Sequence, residues 1–308
     1  PDTPIPEVQL LSNGRYHVMV TNAGGGYSRW QDLAVTRWSE DGTRDRWGTF
    51  CYLRDVSDEG QDGAPWSAAH QPTLQRGEGY EAIFSEGRAE FRRHDGDFDT
   101  HTEIVVSPED DIELRRVLIT TRSAVRRTLE VTSYAEVVLA PAAADNLHPA
   151  FSKLFVQTEI VAAQRAILCT RRPRSRDEVA PWMFHLMAVH DAPVDEFSFE
   201  TDRERFVGRG LSVSAPRAMQ AGTMLSASQG SVLDPVVAIR GRITLEPDQS
   251  VSVDLVYGIG DSRDAVLGLV EKYQDQRLAD RVFELAWTHA QVVLRQINAS
   301  EADAQLYV

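Results

Sequence analysis

The alternation of apolar and polar residues between Leu129 and Leu139 constrains the fold of this chain more than any other feature. Every second residue in this run is apolar, with one interruption at Ser133, and most of the residues between them are polar. Side chains alternate between the two faces of a β-strand, so a period of two predicts a half-buried strand. The apolar face comprises Leu129, Val131, Ala135, Val137 and Leu139, and the opposite face comprises Thr128, Glu130, Thr132, Tyr134, Glu136 and Val138.

Strand-like runs of this kind recur from about residue 9 to residue 259. There are more than a dozen, and no helical pattern separates them. Sequential strands without helical crossovers favour antiparallel pairing, so we predict a mainly β fold with large antiparallel sheets packed as a sandwich. The predicted strands include 16–20, 33–38, 49–53, 80–91, 100–106, 112–121, 129–139, 153–160, 166–170, 183–189, 196–200, 235–239 and 250–259.

Helical signals replace strand signals at residue 260. Ser262 offers an N-cap before an acidic first turn, and 265–273 then reads as a helix. A second helix is predicted over 279–297, where apolar residues recur at spacings of three and four. We therefore expect a β domain over residues 1–260 and a helical linker over residues 261–308. From the sequence at both ends, we expect this chain to be part of a longer protein.

The net charge of −14 over 308 residues limits the partners of the chain. Nucleic acids and anionic membranes select basic surfaces, so the charge argues against both and favours a neutral or weakly polar ligand. No apolar run approaches the length of a membrane span. Cys51 and Cys169 lie in apolar strand-like runs and are expected to be buried free thiols, with a single bridge between them left open.

Three consecutive glycines, 24–26, precede a segment rich in the residue types that hold sugars. Tyr27 and Trp30 offer flat faces for the C–H face of a pyranose, and Arg29 and Asp32 offer partners for its hydroxyl groups. A phosphate-binding loop does not fit, because neither a Gly-Lys-Ser/Thr ending nor the third glycine of a dinucleotide fingerprint is present. An ordinary turn, with Tyr27 and Trp30 packed into a core, remains an equal alternative.

A second candidate sugar patch lies around Trp66. This tryptophan follows a predicted loop, with His70 and Gln71 close behind it. Loops over a rigid β scaffold are where ligand contacts gather. A loop tryptophan that packs onto the core is an equal alternative for Trp66.

Sequence patterns for catalysis and metal binding are absent. The eight histidines are scattered, and although His94 and His101 flank a predicted hairpin, no third ligand accompanies them. No Gly-x-Ser-x-Gly elbow occurs, and no carboxylate pair stands out among the 46 acidic residues. We therefore predict no catalytic residue, no metal site and no cofactor.

Several motifs of this chain resemble those of bacterial cyclic β-1,2-glucan synthases. More broadly, the chain is similar to the N-terminal β domain of the cellobiose and chitobiose phosphorylases, which belong to glycosyltransferase family 36. The similarity extends over nearly the whole chain. The motifs that carry it are 9–16, 22–30, Trp66–Thr73 (Trp-Ser-Ala-Ala-His-Gln-Pro-Thr), 171–175 and 281–291.

The resemblance implies a β-supersandwich, similar to the galactose mutarotase fold, followed by linker helices and an (α/α)6 barrel. In that family the barrel carries the general-acid aspartate, so no catalytic residue transfers to this chain. The resemblance also implies a large enzyme of the bacterial inner membrane, with this domain on the cytoplasmic side. The implied partners are a β-glucan or gluco-oligosaccharide and the neighbouring domains of the parent enzyme.

Three functions remain open from the sequence. The first is a non-catalytic saccharide-binding or scaffold domain that holds or orients glucan beside catalytic domains. The second is an autonomous sugar epimerase on a mutarotase-like fold, which requires a histidine and a carboxylate in one groove. The third is an oligomerisation module, in which a sandwich face pairs with a second copy of the chain.

Overall fold

Strands account for most of the regular structure. The computed structural model describes residues 3–39, 46–57, 63–173, 180–299 and 303. Its strands, in chain order, are β1 (Val8–Ser12), β2 (Tyr16–Thr21), β3 (Gly26–Trp30), β4 (Leu33–Thr36), β5 (Phe50–Asp55), β6 (Trp66–Ser67), β7 (Gly79–Ser85), β8 (Arg88–Asp95), β9 (Phe98–Val106), β10 (Ile112–Thr121), β11 (Arg127–Pro141), β12 (Val156–Val161), β13 (Ala166–Arg171), β14 (Trp182–His190), β15 (Val194–Asp202), β16 (Pro235–Leu245) and β17 (Ser250–Gly260).

These strands form two antiparallel sheets. The nine-stranded sheet has the order β1-β2-β3-β4-β11-β16-β15, and β5 pairs with the first half of β11 and with β6. The eight-stranded sheet has the order β12-β13-β14-β17-β10-β9-β8-β7. The predicted mainly β, antiparallel sandwich is therefore confirmed.

The main hydrophobic core lies between the two sheets. The predicted apolar face of β11, from Leu129 to Leu139, packs there against inward-facing residues of the second sheet such as Val253 and Leu255. Both cysteines belong to this core and are unpaired. Burial raises the pKa of Cys51 to about 12, which keeps the thiol protonated and unreactive.

Two long helices cover the outer face of the eight-stranded sheet. The five described α-helices are α1 (Ala142–Leu147), α2 (Pro149–Lys153), α3 (Arg203–Val207), α4 (Arg263–Tyr273) and α5 (Gln276–Gln296). Ser262 caps α4 as predicted, since its hydroxyl accepts from the amide of Ala265 at 3.2 Å. The helices bury a second core that includes Val266, Val270 and Phe283. Residues 300–302 and 304–308 of the expected helical linker lie outside the described residues.

Several details differ from the sequence predictions. The predicted strand 80–91 is wrong, because a turn at Gly87, with φ of +72°, divides it into the hairpin of β7 and β8. The predicted strand 153–160 begins only at Val156, after α2. The expectation that no helix interrupts the strands is also wrong, since α1, α2 and α3 do so. These helices have five or six residues, too few to show a helical period in the sequence.

Candidate functional site

The outer face of the nine-stranded sheet carries a row of buried polar side chains. On β11 they are Glu130, Thr132, Tyr134 and Glu136. The prediction of a half-buried strand is therefore wrong for this face. The segment from α3 to Leu225 covers its middle with an apolar cluster of Tyr52, Tyr134, Phe206, Val207, Val213, Met219 and Leu225. Clefts remain at both ends of the covered region.

One of these, the aromatic cleft, lies beyond the β4 end of the covered region. Its volume is about 670 Å³. Tyr27 and Arg29 reach it because side chains alternate along β3, which turns the intervening Ser28 inward to donate a hydrogen bond to the buried Glu113. The ring centroids of Tyr27 and Trp38 lie 5.7 Å apart at an angle of 56°. The polar lining residues are Arg29, Thr36, Arg37, Ser39, Asp145 and Asn146.

Beside the aromatic cleft lies a second cleft of about 600 Å³, called the adjacent cleft. Its lining includes Trp47 and Gln71 from the loops beside the sheet. Glu136 and Arg203 line its polar part together with Lys153. Between the two clefts lie charged side chains, of which Arg37 and Asp145 line the aromatic cleft and Glu136, Lys153 and Arg203 line the adjacent cleft.

These charged side chains form an ion-pair network of Arg37, Lys153, Arg203, Glu136, Asp145 and Asp234. Arg37 lies 3.2 Å from a carboxylate oxygen of Glu136 and 3.3 Å from one of Asp145. Arg203 Nε donates to the other oxygen of Glu136 at 2.6 Å. Lys153 pairs with Asp234 at 2.7 Å. Three cations thus face three carboxylates, so the network carries no net charge.

The phenol of Tyr134 also joins this network, because its hydroxyl group donates a hydrogen bond to Glu136 at 3.0 Å. Burial raises the pKa of Tyr134, and the charge of Glu136 raises it further, so the phenol stays a donor. Burial by itself lowers the pKa of Arg203, but the charge of Glu136 and their hydrogen bond outweigh burial and raise it. Oε1 of Glu136 therefore accepts from two donors, Tyr134 and Arg203, whereas Oε2 forms an ion pair with Arg37 but no hydrogen bond among the described residues.

The structure separates the seven residues predicted to contact sugar. Tyr27 and Arg29 line the aromatic cleft, and Gln71 lines the adjacent cleft. Asp32 is fully exposed in the turn after β3, 4.0 Å from Arg29. Trp30 lies on the opposite face of β3, where its indole N–H donates to Asp111 at 2.7 Å and its ring packs on the main core.

The remaining two predicted residues line neither cleft. Trp66 is 8% exposed and stacks on Phe98 in the main core, with ring centroids 5.6 Å apart. This is the geometry of the alternative in which the tryptophan packs onto the core. His70 contacts Tyr80 edge-on, with ring centroids 6.2 Å apart.

The glycine triplet has a packing role at the turn between β2 and β3. A Cβ atom on Gly26 would lie 1.9 Å from the carbonyl oxygen of Met19, and Gly26 has a φ of +151°. A Cβ atom on Gly24 would lie 2.4 Å from the Cβ atom of Ala69. At Gly24 and Gly26 the backbone therefore packs closely against other parts of this chain.

Sequence reasoning missed most of the cleft residues, including Arg37, Trp38, Glu136 and Arg203. The sequence does show the polar face of β11 that contains Glu136. Alternation, however, predicts that this face is exposed to solvent. Trp38 falls in a predicted strand, and nothing in its sequence neighbourhood indicates a role.

Histidines lie elsewhere in the described chain. His94 pairs with Asp99 at 2.7 Å and His101 with Glu90 at 2.8 Å, on β8 and β9 of the second sheet. Glu90, His101 and Glu103 together have ligand atoms within 4.8 Å of one another. Arg88 occupies this cluster and contacts Glu103 at 2.5 Å, so its charge already neutralises part of the group.

The two packed antiparallel sheets and the helices beyond them define a supersandwich domain. The family described as "Glycosyl hydrolase 94, supersandwich domain" matches residues 1–276. The chain belongs to this family.

Curated relatives come from sugar-processing enzymes. The chain is 36% identical over 298 residues to "Cyclic beta-(1,2)-glucan synthase NdvB" of Rhizobium meliloti, covering 97% of this chain and 10% of that protein. It is 25% identical over 289 residues to "N,N'-diacetylchitobiose phosphorylase" of Vibrio furnissii, covering 92% of this chain and 34% of the phosphorylase. The chain thus spans about a tenth and about a third of these relatives.

Among solved structures, a bacterial glucoamylase complexed with acarbose shares the fold. The TM-score is 0.50 at 7% sequence identity, over 97% of this chain and 40% of the glucoamylase. In the described part of the chain, no helix has both the length and the apolar character that crossing a bilayer requires.

Proposed function

We propose that this chain is a non-catalytic saccharide-binding domain of an enzyme related to the cyclic β-1,2-glucan synthases. In this proposal the aromatic cleft holds a β-1,2-glucan or gluco-oligosaccharide and orients it beside the catalytic domains of the parent enzyme. The observation that carries the proposal is the pairing of the Tyr27 and Trp38 rings in the aromatic cleft, beside the ion-pair network.

The chemistry of this cleft matches a neutral sugar. Pyranose rings have apolar C–H faces, which pack on aromatic rings, and a rim of hydroxyl groups, which need donors and acceptors. Tyr27 and Trp38 supply the first, and Arg29, Asp145 and Asn146 supply the second. Because the ion-pair network has no net charge, it attracts neither anions nor cations strongly.

The proposed lack of catalysis rests on the engagement of the carboxylates. Glycoside chemistry needs one carboxyl group that is free to donate a proton. Glu136 and Asp145 are instead held by arginines, and none of the described histidines lines either cleft. This arrangement also disfavours the epimerase alternative.

The proposed setting follows from the family. Residues 1–260 would be the supersandwich, and residues 261–308 would lead as a helical linker towards an (α/α)6 barrel. The similarity to the glucan synthase supports a place on the cytoplasmic side of a bacterial inner membrane, within a larger protein. The oligomerisation alternative predicts association of this chain, which sedimentation velocity tests directly.

Isothermal titration with β-1,2-gluco-oligosaccharides of increasing length tests the binding proposal. Saturable binding is expected, and Tyr27→Ala and Trp38→Ala should each weaken it about tenfold, equivalent to about 1.4 kcal/mol. Trp287→Ala is the matched control, because Trp287 is 60% exposed on α5, away from the cleft. No heat from folded protein at millimolar ligand would reduce the domain to a structural role.

The non-catalytic part needs a separate readout. After prolonged incubation, the oligosaccharides should be recovered with unchanged length and linkage, and the anomers of glucose should equilibrate at the uncatalysed rate. Turnover that disappears on mutation of one cleft residue would contradict this part while leaving binding intact.

A further inference from the structure

A third cleft lies on the same outer face of the nine-stranded sheet, at the end of the covered region opposite the aromatic and adjacent clefts. It is called the arginine cleft here. Its volume is about 340 Å³, within the size range of small-ligand sites. The charged side chains that line it are Arg54, Glu130, Glu196, Arg240 and Arg242.

Positive charge is concentrated in this cleft. Arg54 and Arg240 are almost fully buried, and Arg242 is about half exposed at the surface. Glu130 lies among all three, 2.7 Å from Arg54, 2.7 Å from Arg242 and 3.5 Å from Arg240. Even with Glu196 counted, three guanidinium groups face two lining carboxylates. This excess runs against the net charge of −14 of the whole chain.

The pKa directions of these groups show both the attraction of nearby carboxylates and the repulsion among the arginines. The hydrogen bond to Glu130 raises the pKa of Arg242, and the charges of Glu130, Glu196 and Asp195 add to this effect. Burial raises the pKa of Glu130, but the hydrogen bond from Arg242 and the charges of Arg240 and Arg54 outweigh it and lower the pKa. Burial is the largest cause that lowers the pKa of Arg240, to about 10; the charges of Arg54 and Arg242 contribute to this value, and the attraction of Glu130 opposes it. An additional anion would relieve this repulsion.

We propose that the arginine cleft binds a small ligand through an oxyanion group, either a phosphate or a carboxylate. A guanidinium group matches both, because its planar N–H donors bind two oxygen atoms at once. Arg242 is the anchoring residue. Its side chain is 45% exposed, and its one hydrogen bond among the described residues is donated to Glu130 through Nη2. Arg240 contributes charge, since its donors already serve Thr132, Ala218 and Thr223.

The cleft has room for more than the anionic group. Thr128, Ser198 and Thr223 line it beside the arginines and offer hydroxyl groups. A monosaccharide that carries a phosphate or a carboxylate therefore fits both the size and the chemistry. This site is independent of the proposed glucan cleft, because Glu130 and Glu136 are six positions apart on β11, roughly 20 Å at the usual rise per residue.

Isothermal titration of the full chain with four probes tests the proposal. The probes are inorganic phosphate, glucose 6-phosphate, glucuronate and glucose. Glucose 6-phosphate or glucuronate should bind at least tenfold more tightly than glucose, and the stronger of the two identifies the preferred oxyanion. Inorganic phosphate should compete with the tighter probe, and the affinity should fall as NaCl is raised from low to moderate concentration.

Two variants with opposite expected effects separate a charge-based site from general destabilisation. Arg242→Gln should weaken anion binding at least tenfold, whereas Glu196→Gln should strengthen it several-fold because it removes an opposing carboxylate. Arg92→Gln is the matched control, since Arg92 is also an exposed strand arginine that faces carboxylates, but on the second sheet. Equal affinities for glucose and the anions, or no change in both cleft variants, would overturn the proposal. Neither outcome depends on glucan binding by the aromatic cleft.

Discussion

The guanidinium group of Arg116 lies over the ring of Phe283, with Cζ 4.9 Å from the ring centroid. Arg88 approaches the same ring at 5.6 Å. Arg116 also donates to Asp254 of β17 at 2.7 Å and to Asp280 of α5 at 2.5 Å. One arginine of the central strand β10 thus holds both its neighbouring strand and the long C-terminal helix.

This relationship predicts that Phe283 fixes α5 to the sheet. Phe283→Ala should lower the free energy of unfolding by about 3 kcal/mol, because it removes a buried ring and leaves a cavity. Urea unfolding measures the loss, and hydrogen exchange should show that the amides of α5 lose protection first. Trp287→Ala, one turn further along the helix, should change stability by less than about 0.5 kcal/mol because Trp287 is exposed. Equal losses in both variants would contradict this account.

The ion-pair network predicts a large difference between a buried and an exposed carboxylate. Glu136→Ala should destabilise the fold by about 3 kcal/mol, since it removes the carboxylate that the buried Arg37 shares with the partly exposed Arg203. Glu246→Ala removes an exposed partner of Arg126 at 3.5 Å and should cost less than about 1 kcal/mol. Thermal and urea unfolding of the two variants provide the comparison. A small effect of Glu136→Ala would mean that solvent reaches the network freely.

Strand β11 shows which structural features the sequence alone can predict. The alternation along β11 predicted both the strand and its core face, because a period of two has one structural meaning in a run of this length. The same alternation wrongly assigned Glu130 and Glu136 to solvent. Their burial depends on the segment from α3 to Leu225, more than sixty positions later in the chain, and local periodicity carries no information about such a cover.

The candidate site was only partly predictable for a related reason. The residue types after the glycine triplet predict sugar contacts for Tyr27, Arg29 and Trp30 alike, but Trp30 lies on the other face of the strand. Alternation along β3 separates them once its register is known, and the register depends on pairing with β2 and β4. Trp38 joins Tyr27 from beyond β4, a contact that no spacing in the sequence indicates.

Two glycines offer a test of close backbone packing. Gly26→Ala should destabilise the fold by about 3 kcal/mol, because the new Cβ atom would lie 1.9 Å from the carbonyl oxygen of Met19. Gly96 also has a positive φ, +56°, but a Cβ atom added there would meet no other atom within 4 Å, so Gly96→Ala should cost only about 1 kcal/mol. Urea midpoints of the two variants give the difference. Similar midpoints would show that the β2–β3 turn relaxes without cost.

The buried His185 predicts a specific loss of stability in mild acid. It lies between the sheets, where Nδ1 donates to the carbonyl oxygen of Val256 at 3.2 Å and Nε2 accepts from the hydroxyl of Ser133 at 2.7 Å. Burial lowers the pKa of His185 to about 3, and the bond to Val256 opposes this only in part. The unfolded chain, with an ordinary histidine pKa of about 6.5, therefore binds more protons than the folded chain between these values.

Stability should accordingly fall as the pH drops below about 6.5, by up to about 1.4 kcal/mol per pH unit, and the contribution of His185 should stay constant above that pH. His185→Gln keeps polar contacts but cannot titrate, so its stability should depend less on pH between about 6.5 and 5. Urea unfolding at several pH values in this window measures the two slopes. Carboxylates titrate mainly below the window, with ordinary pKa values near 4, which isolates the histidine. Parallel slopes for the two proteins would show that His185 takes up its proton without leaving the folded state.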